Sequence, residues 1–317
     1  MRLSKRLALE IDQFLDNLVQ KADELKDVVK LGRTQLQDAL PTTVGNTFQA
    51  FASAIARNLN ELNHSRDALK TLNLGGTAIG TTVNASEYYV RRIVPEVSKQ
   101  FGRLLYQADN LIDATQHVDA FIQLSHAYKL LAVTLSKMAS DLRLLSSGPQ
   151  FGFNELFLPK KQAGSSIMPG KVNPVIPELV NQVAFQVIGF DTTNTLAAEA
   201  GQLELNAFEP IIVRNLITAS RLLQKTLRTF RINCISGIQA NSAQCAKEAN
   251  QCAILATALT PYIGYSKTCK LVKQSLEMDI PIQTLAAQLP DVPDSVIKLL
   301  DPKTMIPFYK TQELKAN

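Results

Sequence analysis

Apolar residues recur at intervals of three and four along most of this chain. Leu7, Ile11, Phe14 and Leu18 fall on one helical face, and Phe48, Ala52, Ile55, Leu59 and Leu62 fall on one face of the next segment. The longest run joins Phe121, Leu124, Tyr128, Leu131, Leu135, Met138, Leu142 and Leu145, alternating the two spacings without a break. Further helices are expected from about Pro174 to Asp191 and from about Ala207 to Phe230, with "AAEAGQLELN" as a joint or a continuous bend between them. Strand signals are scarce. The pattern predicts a mainly α fold, a long-helix bundle whose helices exceed the globular mean of about 11–12 residues.

Near residue 240 the character changes to shorter pieces separated by "TPYIGYSK", "DIPIQ", "QLPDVPDS" and "LDPKTMIP". This predicts a central helical-bundle domain over 1–243 and a small helical C-terminal domain over 244–317. A length of 317 residues can support two cores. The seams of the long helices are more apolar than one or two helices can bury alone, so a homo-oligomer is expected.

Composition narrows the classes. Lys and Arg number 33 against 28 Asp and Glu, and the excess of +5 is spread without a run of like charge. No nucleic-acid surface is indicated. Apolar stretches are broken by charged residues before reaching the roughly 18 residues a membrane span needs. The N-terminal "MRLSKRLALEIDQFLDNL" lacks a clean apolar core followed by a small-residue cleavage site, so it reads as a helix of a cytoplasmic protein. Cys234, Cys245, Cys252 and Cys269 show no CxxC spacing and read as buried thiols, with neither a metal nor a redox pair implied. His64, His117 and His126 have no recognisable ligand or nucleophile partner.

The stretch "KKQAGSSIMPGKVNPVIPE", residues 160–178, departs from the helical pattern. Gly164, Pro169 and Gly170 exclude a helix ahead of Asn173, and the segment reads as a mobile loop. From Asn173 the signals reverse: Asn173 is a capping type, Pro174 and Pro177 suit a first turn, and Glu178 suits the positive end of a helix dipole. A loop feeding a helix N-terminus, with Lys171 beside free backbone donors, points to a carboxylate or phosphate ligand. Two other segments break the helices with small polar residues. "KLGRTQLQDALPTTVG" carries Thr34 and Gln35, while "NLGGTAIGTTVN" carries Gly75, Thr77 and Gly80, which read as shaping a joint between helices. Together they outline a pocket of Ser, Thr, Asn, Gln and Lys for a small anion.

"GSSIMPGKVNP", Gly164–Pro174, resembles the signature loop of the aspartase/fumarase superfamily of lyases. "GRTQLQDA", "NLGGTAIGT", "LRLLSSGP", "NQVAFQVIG", "AAEAGQLELN" and "GIQAN" follow the family's order, so the resemblance covers nearly the whole chain. It implies a long-helix bundle of the aspartase/fumarase type. It also implies a cofactor-free reversible elimination of ammonia from L-aspartate to give fumarate. On the family's pattern Ser165 would be the base that takes the C3 proton, and Ser166 would help hold the carboxylate that becomes an enediolate. Lys171, Asn173 and Thr34 would grip the α-carboxylate. Gln35 would face the substrate's amino group, a position typically His in fumarases, and Glu178 would pair with Lys171.

The resemblance further implies a homotetramer whose sites are shared between subunits. It also implies an N-terminal domain ahead of the bundle, rich in Thr and Ser, whereas this sequence starts almost where that domain ends. Three readings stay open at this point. One is an ammonia-lyase whose N-terminal domain is a separate chain or was removed. Another is a fumarase-like hydratase of malate and fumarate. The last is a catalytically incomplete helical scaffold.

Overall fold

A computed structural model describes residues 2–290 and 292–306. Met1, Asp291 within "QLPDVPDS", Pro307 of "LDPKTMIP" and residues 308–317 of the expected 244–317 unit lie outside the described residues.

The apolar faces fold as the spacing predicts. Helix α1 (Arg2–Glu24) buries Leu7, Ile11, Phe14 and Leu18 completely. A short antiparallel hairpin follows, β1 (Val29–Thr34) and β2 (Gln37–Thr43), and leads directly into α2 (Val44–Ala68). Thr43 caps α2 by accepting the Asn46 N–H at 3.0 Å. A less regular excursion carries β3 (Thr71–Leu72), α3 (Glu87–Phe101), β4 (Tyr106–Gln107) and α4 (Asp113–Gln116), with β3 and β4 paired in parallel. The longest helix, α5 (Asp119–Leu145), buries Leu124, Tyr128, Leu131, Leu135, Met138 and Leu142. After β5 (Leu156–Phe157) come α6 (Val175–Glu199) and α7 (Glu209–Asn233).

Five helices close into a ring. Helix α1 packs on α2 and α7, α2 on α5, α5 on α6, and α6 on α7. Their apolar stripes meet in one core, where Phe14 and Phe230 stack with ring centroids 5.5 Å apart.

The expectations for the end of α6 and for the Thr34–Gln35 segment are corrected. Helix α6 runs to Glu199, well past Asp191, because its buried polar residues find partners on neighbouring helices. Asn194 donates to Ser125 Oγ at 2.9 Å and accepts from Asn215 Nδ2 at 3.0 Å, while Lys129 Nζ lies 2.5 Å from Asp191. The segment around Thr34 and Gln35 is a β-hairpin, where an open loop between helices was expected.

Beyond α7, β6 (Gln239–Ala240) pairs antiparallel with β5, and α8 (Ser242–Gln251) lies on the hairpin. Short helical pieces follow: α9 (Thr260–Ile263), α10 (Tyr265–Met278), α11 (Ile282–Ala286) and α12 (Asp294–Ile297), with 3-10 turns among them. They enclose a second core of Leu255, Leu259, Leu271, Ile282, Leu285 and Leu300, separate from the bundle core, which ends at Cys245. Of the four cysteines, Cys234, Cys245 and Cys252 are buried, but Cys269 is exposed, contrary to expectation. It lies on α10, outside both clusters. Among the described residues no helix is long and apolar enough to cross a membrane.

Candidate active site

The 160–174 segment has no regular secondary structure, and its shape follows from its glycines. Gly164 and Gly170 hold φ of 94° and 83°, a region that residues with a Cβ rarely enter. The Ser165 N–H donates to the Lys171 carbonyl at 2.9 Å and closes the loop on itself. Inside that closure Ser165 Oγ accepts the N–H groups of Ile167 at 3.2 Å and Met168 at 3.0 Å. A hydroxyl oxygen facing two backbone donors stands in a field that favours negative charge on it. Ser165 is half-buried and Ser166 exposed.

Asn173 does not cap α6. Pro174 occupies the cap position without a side-chain bond, and Asn173 contributes only its carbonyl, which accepts the Val175 N–H at 2.9 Å. The Asn173 amide is thereby left exposed beside the helix start.

A cleft of about 890 Å³ opens between the C-terminal end of α5, the segment after it and the start of α6. Lys171, Asn173 and Glu178 all line it, as do Arg143 and Lys160, with Leu156, Leu158 and Val172 as apolar walls. Among the described residues none of Arg143, Lys160, Lys171 and Glu178 forms an ion pair, so the expected link between Lys171 and Glu178 is not formed here. Three unpaired cations against one carboxylate make the cleft attractive to an anion. Arg143 was not anticipated as a site residue. It donates to Asn181 Oδ1 at 3.2 Å, and Asn181 in turn donates to Ser136 and Ser140 of α5.

Thr34, Gln35, Ser165 and Ser166 stand outside the lining of this cleft. Thr34 and Gln35 are exposed at the tip of the hairpin, where the two-residue turn Gln35–Leu36 holds φ of 53° and 63°. Both values are those of a type I′ turn, which ordinarily recruits Asn and Gly. Just behind this tip lies a charge cluster that sequence reasoning missed. Glu155, fully buried, pairs with Arg33 and with Lys30, the latter at 3.0 Å, and the other arm of Arg33 reaches Glu248 of α8 at 2.6 Å. The Arg33 guanidinium also lies 4.4 Å from the centroid of the Phe153 ring. Burial opposes the Arg33 charge, yet the bonds to Glu155 and Glu248 outweigh it and raise its pKa. Burial likewise works against ionised Glu248, but Arg33 and Gln244 hold its pKa below the ordinary value of 4.5.

A closed ring of long helices thus carries a serine loop, shaped by Gly164 and Gly170, beside an anion-attracting cleft. A family model described as "Lyase" matches residues 1–189. Aspartate ammonia-lyase of Helicobacter pylori is 47% identical over 273 residues, which are 86% of this chain and 58% of that relative. The crystal structure of fumarate lyase:delta crystallin from Brucella melitensis bound to cobalt matches with a TM-score of 0.92 and 42% identity, covering 96% of this chain and 66% of that one. Recombinant class II fumarase from Schistosoma mansoni matches with a TM-score of 0.89 and 30% identity, covering 96% and 67%. The chain belongs to the aspartase/fumarase superfamily of lyases. It spans a little over half the length of the Helicobacter pylori relative.

Proposed function

We propose that this chain carries the serine loop of an ammonia-lyase that eliminates ammonia from L-aspartate, reversibly, to give fumarate. The observation that carries the reading is Ser165 Oγ facing the N–H groups of Ile167 and Met168. A serine is a weak base unless its alkoxide is stabilised, and two backbone donors supply that stabilisation without a cationic partner. In this reading Ser165, as alkoxide, takes the C3 proton, and the C–H electron pair moves into the adjacent carboxylate as an enediolate, which Ser166 helps to hold. The pair then returns to form the C=C bond while the C–N electrons leave with nitrogen. The substrate's ammonium departs as ammonia, and Ser165 is left as a hydroxyl.

Lys171 and Asn173, both lining the cleft, take the α-carboxylate, and Glu178 lines the same cleft without pairing with the lysine. Thr34 and Gln35 belong to the same chemistry, Gln35 offering a carbonyl oxygen to the amino group. Their place on the hairpin, outside the cleft, supports a site completed by a second copy of the chain. A homotetramer is part of this proposal. Exposed Leu130 and Val133 on α5 and Phe185 and Leu196 on α6 provide apolar surface for it. The relatives' additional length fits an N-terminal domain that completes the pocket, within the same polypeptide or as a separate chain. Loop opening about Gly164 and Gly170, a division near residue 243 between the two cores, and a cytoplasmic location in keeping with four free cysteines complete the reading.

Hydration of fumarate to malate is the second reading, favoured by the Schistosoma mansoni fumarase match. The two separate in one assay, fumarate formed from L-aspartate against fumarate formed from L-malate, with oligomeric state recorded on the same sample. Aspartate turnover supports the ammonia-lyase. Malate turnover alone replaces it with the hydratase, and a stable oligomer inert to both replaces it with a scaffold.

A further inference from the structure

We propose that Glu155 and Arg33 are positioning residues that hold the Gln35–Leu36 turn in its strained shape and so fix Thr34 and Gln35 for substrate. The inference rests on the reading above only in assigning Thr34 and Gln35 to the substrate; the clamp itself stands on geometry.

The peptide that carries Glu155 is fixed on both sides. Its N–H donates to the Leu145 carbonyl at 2.8 Å, and its own carbonyl accepts the Asn241 N–H at 2.8 Å. From this anchor the buried carboxylate reaches Lys30 and Arg33 of β1, while Glu248, itself braced by Gln244 Nε2 at 2.7 Å, takes the second arm of Arg33. Phe153 covers the guanidinium face. Arg33 is therefore held on both arms and on its plane, one residue before Thr34. Neighbouring Asn154 and Leu156 line the cleft, so one stretch of backbone serves both the cleft wall and the hairpin.

Two features favour positioning over simple stabilisation. Buried ion pairs are often no more stabilising than well-packed apolar side chains of the same volume, so a cluster of four charges is poorly explained by stability alone. A two-residue turn with positive φ at Gln and Leu is strained, and such strain persists only where the surroundings over-determine it. The clamp on Arg33 is the constraint adjoining that turn.

The test uses the full chain with Arg33→Lys, which keeps the charge but cannot span two carboxylates, and Glu155→Gln as a second variant. Amide hydrogen exchange over residues 33–38 is compared with exchange over α5, and KM for aspartate is compared with kcat. In folded Arg33→Lys, exchange at the hairpin tip rises about tenfold with α5 unchanged, and KM rises about tenfold with kcat held within about twofold. Hairpin exchange equal to wild type in the folded variant would overturn the clamp, whether or not the chain turns over aspartate. Faster exchange without a change in KM would support the clamp and remove Thr34 and Gln35 from the substrate site. A fall in melting temperature for Glu155→Gln with neither readout moved in Arg33→Lys would make the cluster structural only.

Discussion

Arg143 near the end of α5 donates to Asn181 of α6 at 3.2 Å, and through that bond a buried amide in the bundle restrains a cation at the cleft. Asn181 is 5% exposed and bonds to both Ser136 and Ser140, so its removal leaves several polar groups unsatisfied. Asn181→Ala is expected to cost about 1–3 kcal/mol. It should also weaken binding of fumarate, measured by calorimetry on the folded variant. Arg143→Ala should weaken fumarate binding with a much smaller loss of stability.

Gly45, at the start of α2, packs backbone against backbone on the end of α1. A Cβ there would lie 2.5 Å from the Ala22 carbonyl oxygen and 2.5 Å from the Lys26 Cα. Alanine gains roughly 1 kcal/mol of helix propensity over glycine, but neither clashing group can rotate away. The clash wins, and Gly45→Ala should lose about 1–3 kcal/mol net in denaturant unfolding.

Acid should loosen the clamp on Arg33. Glu248 has a folded-state pKa below its ordinary 4.5, so its contribution to stability is present above that value and is lost as pH falls through the depressed one. Melting temperature is expected to fall with acidification below pH 4.5. Glu248→Gln should reduce that dependence.

Thiol chemistry should separate the cysteines cleanly. Burial pushes the thiols of Cys234 and Cys245 up to about 12, whereas Cys269 is exposed on α10. Alkylation of the native protein at mildly alkaline pH should label Cys269 first, read by peptide mass spectrometry. Labelling of Cys234 and Cys245 should require unfolding.

The bundle was legible because long apolar seams have one common solution, a ring of helices around a shared core. Leu124 to Leu142 on α5 and Leu7 to Leu18 on α1 bury as their spacing requires. The end of α6 was not legible, since Asp191 and Asn194 look like surface residues until Lys129, Ser125 and Asn215 are brought beside them. The hairpin escaped because its turn is Gln–Leu, without the Asn–Gly or Asp–Gly that marks a two-residue turn. At the cleft, Lys171, Asn173 and Glu178 lie close in sequence and announced themselves together. Arg143 and Glu155 did not, because their significance lies in partners 38 and 122 residues away. A charged residue at a helix end or in a connecting loop ordinarily reads as solvated surface.

The role of Ser165 is the centre of this account, and Ser165→Ala addresses it most directly. The measurement is the rate of fumarate formation from L-aspartate by the folded variant and by the unaltered chain, with fumarate binding to each determined alongside. Loss of the base predicts a fall of roughly a hundred- to ten-thousand-fold in kcat with fumarate still bound. Turnover by the variant within a few-fold of the unaltered chain would contradict the assignment of Ser165 as the base.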